Sequence, residues 1–238
     1  MKNAAEGMSD PFYLLNSDVI ASADLAALRS THERRGGVGT MALFQVDDPR
    51  PYGVAALGPE ERITAFVEKP EPKDAPSRWI YAGIAMWRRE VLEPIPTGRA
   101  VSFEREIVPH LLPRGVFGYR LSGYWEDAGT PERLLHAQQL LFDDLRGGSG
   151  EVPPGSRGSG PVAAATDVSA RGATFGRYVT LGPGATVEAG ASVENSILMD
   201  GALVERGATI TGAVLGPRAR VRAGHRVAGQ VLGEGAEA

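Results

Sequence analysis

The last third of the chain carries a six-residue rhythm. Phe175, Leu181, Val187 and Val193 stand six apart; after a slip come Val204 and Ile210, and then Leu215, Val221, Val227 and Leu232 at steps of six or five. Glycine, alanine and other small residues fill the gaps, as in GPGATVEAGASVEN. An α-helix repeats about every 3.6 residues and a flat strand about every two, so neither produces this spacing. A parallel β-helix does, with one inward aliphatic residue per flat face and small residues at the corners. One face alone buries too little apolar surface to stand, so the coils must stack. Roughly ten inward positions at three faces each give three to four coils. The competing reading is a disordered Gly/Ala tail, but such tails lack a phased aliphatic residue.

Residue usage divides the chain. Nineteen of the 31 glycines lie in residues 147–238, whereas of 16 aromatic residues only Phe175 and Tyr178 follow residue 145. A uniform domain would not segregate residues in this way. Between the two parts lies RGGSGEVPPGSRGSG, which can bury almost nothing and reads as a flexible linker. The expected division is therefore 1–145, a linker over 146–161, and a repeat domain over 162–238. Before the linker, strand and helix signals alternate. PFYLLNSDV, Thr40–Val46, Ile63–Val67, Tyr81–Trp87 and Val116–Leu121 read as strands. Asp24–Arg35 and the segment from Ser102 read as helices, and Thr130-Pro131-Glu132 is a helix start. Leu134, Ala137, Leu141 and Leu145 then form an apolar stripe. The alternation implies an α/β layer architecture.

At 238 residues the chain is long enough for one or two domains with real cores. It has no cysteine, which excludes disulfides, thiolate nucleophiles and Cys-ligated zinc. A net charge of −4 disfavours a general nucleic-acid or membrane-surface binder. No run of 18 apolar residues offers a membrane span, and Met1–Met8 does not read as a secretory signal, so a cytoplasmic location is expected.

The histidines suggest no catalytic group. His110 and His136 read as helix residues, His32 in THERR as a solvated helix end, and His225 as part of the repeat. The carboxylates say more. Asp18 ends the apolar run LLNSD, and an acid at the C-terminal end of a parallel strand lies where α/β sheets bind ligands. Asp127 sits in GYWEDAGT, before the well-started helix. Each read alone is equally a loop acid, but two such acids could share one magnesium with substrate phosphates. Glu68-Lys69-Pro70 closes another strand, where the acid can accept hydroxyl groups and the lysine can meet a phosphate; a strand-end ion pair is the plainer alternative. The glycine-rich RGGVGT at Arg35–Thr40 looks like a phosphate loop. It follows a helix and precedes a strand, the reverse of a phosphate cradle, and so reads as a helix C-cap and turn.

Taken together, LLNSDVI at 14–20, YGV at 52–54, FVEKP at 66–70, YAGIA at 81–85, SFEREIVP at 102–109 and GYWEDAGTPE at 123–132 resemble the sugar-1-phosphate nucleotidyltransferases, or NDP-sugar pyrophosphorylases, in family order. Within them the resemblance is nearest to the mannose-1-phosphate guanylyltransferases. It implies an incomplete Rossmann-like nucleotidyltransferase domain of the GT-A-like type followed by a left-handed parallel β-helix. By analogy, a sugar 1-phosphate attacks the α-phosphorus of a nucleoside triphosphate, pyrophosphate leaves and an NDP-sugar forms. Catalysis is then positioning and charge neutralisation. Asp18 and Asp127 would hold Mg²⁺, Glu68 the sugar hydroxyls and Lys69 the sugar phosphate, while Gly53 and Gly83 would let backbone approach the sugar. Partners are the two substrates, with neither nucleic acid nor membrane, and a homo-oligomer is expected.

This sequence departs from the family pattern in two places. Tyr81 stands where an asparagine is frequent, which opens the question of which sugar is bound. The glycine-rich segment with which members begin, the reader of the base, is not among these residues; MKNAAEGMSDPF instead resembles a helix from the middle of the nucleotide-binding half. The expectation is an N-terminally truncated chain with little or no activity by itself. Three other readings stand beside it: a non-catalytic, regulatory paralogue assembling through the β-helix, a thymidylyl- or uridylyltransferase, and, on the strength of the repeat and His225, an acyltransferase.

Overall fold

The computed structural model of the protein describes residues 7–146 and 151–238. The helix expected at the very start falls largely on residues 1–6, outside the described residues, as do residues 147–150 of the expected linker. Contacts group the chain into two units, one up to Trp125 and one from Glu126 to Ala238. The change of unit thus comes ahead of the composition boundary near residue 145.

The first unit is a mixed six-stranded sheet. In chain order its elements are β1 (Phe12–Leu15), β2 (Val19–Ala21), α1 (Leu25–Arg35), β3 (Gly39–Gln45), β4 (Gly53–Leu57), β5 (Ile63–Glu68), β6 (Trp79–Trp87), a π-helical turn (Phe103–Ile107), α2 (Val108–Leu111) and β7 (Val116–Arg120). The sheet order is β5-β4-β6-β3-β7, with β1 also pairing β6. β6, an almost uninterrupted apolar run, is buried along nearly its whole length, as a central strand covered on both faces must be. One face carries Leu28 of α1 against Ala42, Val54, Ile80, Ala82 and Trp125. The other carries Phe103, Ile107, Val108 and Leu111 against Met41, Leu43, Phe66, Tyr81 and Trp87.

Several expectations need correction. β1 runs antiparallel to β6, so Asp18 does not end a strand of a parallel sheet; β3–β7 is the parallel pair. β4 escaped the sequence reading because its apolar run GVAAL is short and flanked by Pro51 and Pro59. Ser102 does start a helical segment, its hydroxyl accepting from the Arg105 N–H, but the first turn is π-helical. His32 is no solvated helix end: it is 1% exposed, with Nδ1 3.1 Å from Thr40 Oγ1. The charged neighbours that suggested solvent sit on the other side of α1. Asp24 caps α1 by accepting from the Ala27 N–H, and Gly36 closes it, as RGGVGT read as a C-cap requires.

The second unit begins with α3 (Pro131–Arg146), which lies on a parallel β-helix. Its buried side chains include Leu135, Gln138 and Phe142, and Leu145 is 74% exposed. Of the stripe drawn from sequence, Ala137 is fully buried and Leu134 and Leu141 are half-buried; the buried face is turned from it toward Leu135 and Gln138, because patterning passes over a buried polar residue. The Gln138 amide donates to Tyr178 O at 2.8 Å, and its Oε1 accepts from the Thr180 hydroxyl at 2.6 Å.

One sheet of the β-helix stacks Val162–Ala164, Val179–Leu181, Ser196–Leu198, Val214–Leu215 and Val231–Leu232. A second stacks Arg157–Gly158, Thr174–Phe175, Ser192–Glu194, Thr209–Thr211 and Arg226–Ala228. The third contains Thr186–Val187, Leu203–Val204 and Arg220–Val221. The stack is deeper than three to four coils, since two of its sheets have five strands. Part of the stretch expected to be a free linker supplies the first rung, where Arg157 pairs with Thr174. The slip after Val193 is filled by Leu198, fully buried, so the step there is five. Two sixes and a five make the 17-residue offset of Leu181↔Leu198 and Val193↔Ile210. Fully buried alanines precede many inward residues by two positions, as Ala185 does Val187 and Ala208 does Ile210.

Candidate functional site

The candidate residues of the first unit meet at the end of the sheet where β6 begins. β4 and β5 pair antiparallel with Gly53 opposite Glu68, and Val54 lies opposite Ile80 of β6. Carrying that register one residue further sets Gly53 beside Tyr81. Lateral neighbours in a sheet share a face, so Glu68, Gly53 and Tyr81 form one row with no side chain in the middle. A Cβ on Gly53 would stand 2.8 Å from Glu68 Oε2 and 2.4 Å from Phe66 Cζ. The Glu68 carboxylate leans across the strand at a position that only glycine leaves open.

Lys69 follows with a φ of 52°, and its N–H donates to Tyr52 O at 2.9 Å. The chain is thereby turned out of the strand and pinned just where its ammonium stem begins, with the side chain exposed. Burial pushes the half-buried Glu68 carboxyl above the ordinary range, Glu104 adds to the shift, and Lys69 and Arg105 oppose it. Tyr81 is 8% exposed, and its hydroxyl has no hydrogen-bond partner among the described residues. Burial and the Glu104 charge both push its phenol upward, so it keeps its proton.

On the neighbouring stretch of β6, the Asn16 N–H donates to Gly83 O at 2.7 Å. Gly83 has a φ of 71°, and a Cβ there would stand 2.9 Å from Val19 Cγ2 and 3.0 Å from Asn16 Cβ. What approaches Gly83 closely is therefore the turn over 16–19, which carries Asp18. Asp18 is exposed, and its carboxylate meets no hydrogen-bond or ion-pair partner among the described residues. Trp125 holds down the segment that leads to Asp127: its indole N–H donates to Ala82 O at 2.9 Å, and its ring lies edge-on to Tyr52 at 5.1 Å. Asp127 itself belongs with the second unit, where its Oδ2 accepts from Arg133 at 3.1 Å and its Oδ1 from the Gly129 N–H at 3.1 Å.

The structure thus gathers Gly53, Glu68 and Lys69, with Gly83 on the adjoining strand. It adds Asn16, Glu104 and Arg105, to which the sequence reading gave no role, and it buries Tyr81, which that reading noted only as a departure from the family pattern. Glu104 and Arg105 lie inside SFEREIVP, but nothing in that string shows that the π-helical turn brings their charges to Glu68. Among the described residues no three His, Asp or Glu side chains gather as a metal site by themselves. Two carboxylates completed by substrate phosphates would be an ordinary oxygen donor set for magnesium.

The family described as Nucleotidyl transferase matches residues 1–144. The chain belongs to this nucleotidyl transferase family. A further family, described as GMPPB C-terminal domain, matches residues 160–238. Mannose-1-phosphate guanylyltransferase of Mycobacterium tuberculosis is 36% identical over 197 residues, covering 81% of this chain and 53% of that protein. Mannose-1-phosphate guanylyltransferase 1 of Arabidopsis thaliana is 31% identical over 194 residues, covering 81% and 52%. The chain thus spans about half the length of these curated relatives. Among solved structures, a Bacillus anthracis protein assigned as a glucose-1-phosphate thymidylyltransferase matches with a TM-score of 0.51 at 25% identity, over 57% of this chain and 56% of that one. The chain presents its Glu-Lys pair on a mixed sheet and continues into a parallel β-helix. No helix among the described residues is long and apolar enough to cross a membrane.

Proposed function

We propose that the protein is a sugar-1-phosphate nucleotidyltransferase whose substrates are mannose 1-phosphate and GTP, with the sugar phosphate held against β4, β5 and β6. The observation that carries this reading is the Glu68–Lys69 corner: a half-buried carboxylate leaning over Gly53, followed at once by an exposed lysine whose backbone is tied to Tyr52. A carboxylate accepts hydrogen bonds from vicinal hydroxyls, and an ammonium pairs with a phosphate, so one dipeptide can grip both ends of a sugar 1-phosphate. The nucleoside and the sugar are suggested by the mannose-1-phosphate guanylyltransferases among the relatives.

In the proposed reaction a phosphate oxygen of the sugar 1-phosphate attacks the α-phosphorus of GTP and pyrophosphate leaves. Glu68 and Lys69 fix the direction of that attack; no covalent bond to the protein forms. Magnesium, when bound, neutralises phosphate charge, and Asp18 and Asp127 are the ligands we assign to it. Asp18 suits this as an exposed carboxylate without a competing partner; Asp127 would exchange its Arg133 contact for the cation. A soluble cytoplasmic homo-oligomer belongs to the same proposal.

Calorimetric titration of the 238-residue chain with mannose 1-phosphate tests the reading. Saturable binding is expected, tighter than for glucose 1-phosphate, and weakened about tenfold or more by Glu68→Gln and by Lys69→Ala. Binding that neither substitution changes would contradict the assignment.

A further inference from the structure

The first turn of α3 breaks a local rule. Thr130 caps it, its hydroxyl accepting from the Arg133 N–H at 3.3 Å. Three residues after a threonine cap the usual residue is Glu or Gln, which reaches back to the N–H of the cap. Here that place is taken by Arg133. Its charge also opposes the helix dipole, whose positive end lies in this turn and suits Glu132. Helix formation therefore accounts for Thr130, Pro131 and Glu132 and leaves the arginine unexplained.

The guanidinium reaches out of the helix to Asp127, with Nη1 3.1 Å from Oδ2. The arginine side chain is 36% exposed and the aspartate side chain 29%, and an ion pair so open to water adds little to stability. The other oxygen of Asp127, Oδ1, accepts from the Gly129 N–H at 3.1 Å. Backbone thus aims the carboxylate, while a cation that lets go easily covers its second oxygen. The neighbouring Glu126 is engaged elsewhere, with the Asp127 N–H and with His136.

We propose that Arg133 stands in for the metal ion at Asp127 and becomes a phosphate-binding residue when the ion arrives: it holds Oδ2 in the free protein, yields it to magnesium, and pairs with an oxygen of the phosphate that accompanies the metal. The inference rests on the reading of Asp127 as a magnesium ligand and adds to it the partner of the displaced arginine. A guanidinium and a divalent cation repel each other at one carboxylate oxygen, so Arg133 opposes a metal that comes alone. Its forked donors match phosphate oxygens, which form stronger, charge-assisted hydrogen bonds. Metal and phosphate are then coupled through one side chain, and the coupling is reciprocal.

The test uses manganese, counted by paramagnetic resonance, as the metal probe and inorganic pyrophosphate as the phosphate probe. With the metal alone, the Arg133→Ala chain is expected to bind about two- to fivefold more tightly than the wild type. With manganese pyrophosphate the order reverses: the variant binds about tenfold more weakly, and Arg133→Lys recovers part of the loss. Asp127→Asn weakens binding of the metal. Arg171→Ala should change neither titration: Arg171 lies beside Gly155 in the first coil, whereas the start of α3 lies by Gly229 and Val231 in the last. If Arg171→Ala acts like Arg133→Ala, net charge is the cause and the assignment falls. It falls too if Arg133→Ala weakens both titrations, as a purely structural staple would. If Asp127→Asn weakens metal binding and Arg133→Ala changes neither titration, Arg133 loses its role while Asp127 keeps its own. If Asp127→Asn leaves metal binding unchanged, both readings fall.

Discussion

In the β-helix, many inward residues sit above one like themselves: Val187 pairs with Val204 and then Val221, and Val193 with Ile210 and then Val227. In the sheet of the first unit, some neighbours across strands are like, as Val54 and Val67 are, but others are sharply unlike: Gly53 faces Glu68, and Gly39 faces Trp87. The repeat builds a core from nearly interchangeable rungs, each stabilised by its neighbours above and below. It has no interior position where a carboxylate, a lysine and a phenol could converge. The sheet places different residues side by side, and its irregular points, a left-handed Lys69 and a bulged β6 at Gly83, turn side chains toward one another. Regularity here serves stability, and irregularity brings unlike side chains onto one face.

Substitutions in the two regions should therefore behave differently. The largest effect is expected for Phe175→Ala, which removes the bulkiest fully buried side chain of the β-helix core. It should cost about 3–5 kcal/mol. All three tryptophans, Trp79, Trp87 and Trp125, lie in the first unit, so tryptophan fluorescence reports that unit alone. The variant should shift the circular-dichroism transition of the strands and leave the fluorescence transition nearly in place. If both shift together, the contrast between self-supporting rungs and a separate sheet is broken.

A smaller effect is expected for Gly83→Ala. Its φ of 71° and the close approach of Val19 and Asn16 leave no relaxed place for a methyl group. A cost of about 1–3 kcal/mol should appear in the fluorescence transition, because the turn over 16–19 is displaced. An unchanged midpoint would mean that the bulge yields freely and is not a fixed support for Asp18.

The smallest effect is a pH dependence. Burial and the nearby Arg88 charge hold the His32 imidazole below its ordinary range, so the folded state favours the neutral ring. Its contribution is complete above the unfolded value, about 6.5, and declines as the pH falls below it. Denaturant midpoints read by fluorescence at pH 7.5 and pH 5 should differ more for the wild type than for His32→Gln. Equal differences would show that the helix admits the charged ring.

Much of this contrast was visible in the residues. The β-helix was legible because its period is local: a reader needs only the next six positions to find the next inward residue. Asp24, Ser102 and Thr130 announced their helix starts for the same reason, since a cap acts on amides two or three residues away. Glu68 and Lys69 were legible as a motif, through resemblance. The rotation of α3 was not, because Gln138 is buried by virtue of partners at Tyr178 and Thr180, some 40 residues on. His32 was misjudged for a related reason: its burial is decided by Thr40 and the sheet behind it, and its sequence neighbours are all polar.

By itself, then, the order of residues determined what depends on short-range periodicity and local hydrogen bonding: two regions of different architecture, the helix starts and the coil-forming repeat. Tertiary structure alone decided which unlike residues share a face. Antiparallel pairing of β4 with β5 and β6 brings residues 53, 68 and 81 into one row, and the π-helical turn carries Glu104 and Arg105 to it. Such pairings join positions far apart in the chain, and they are set by the burial of whole strand faces; no local pattern records them.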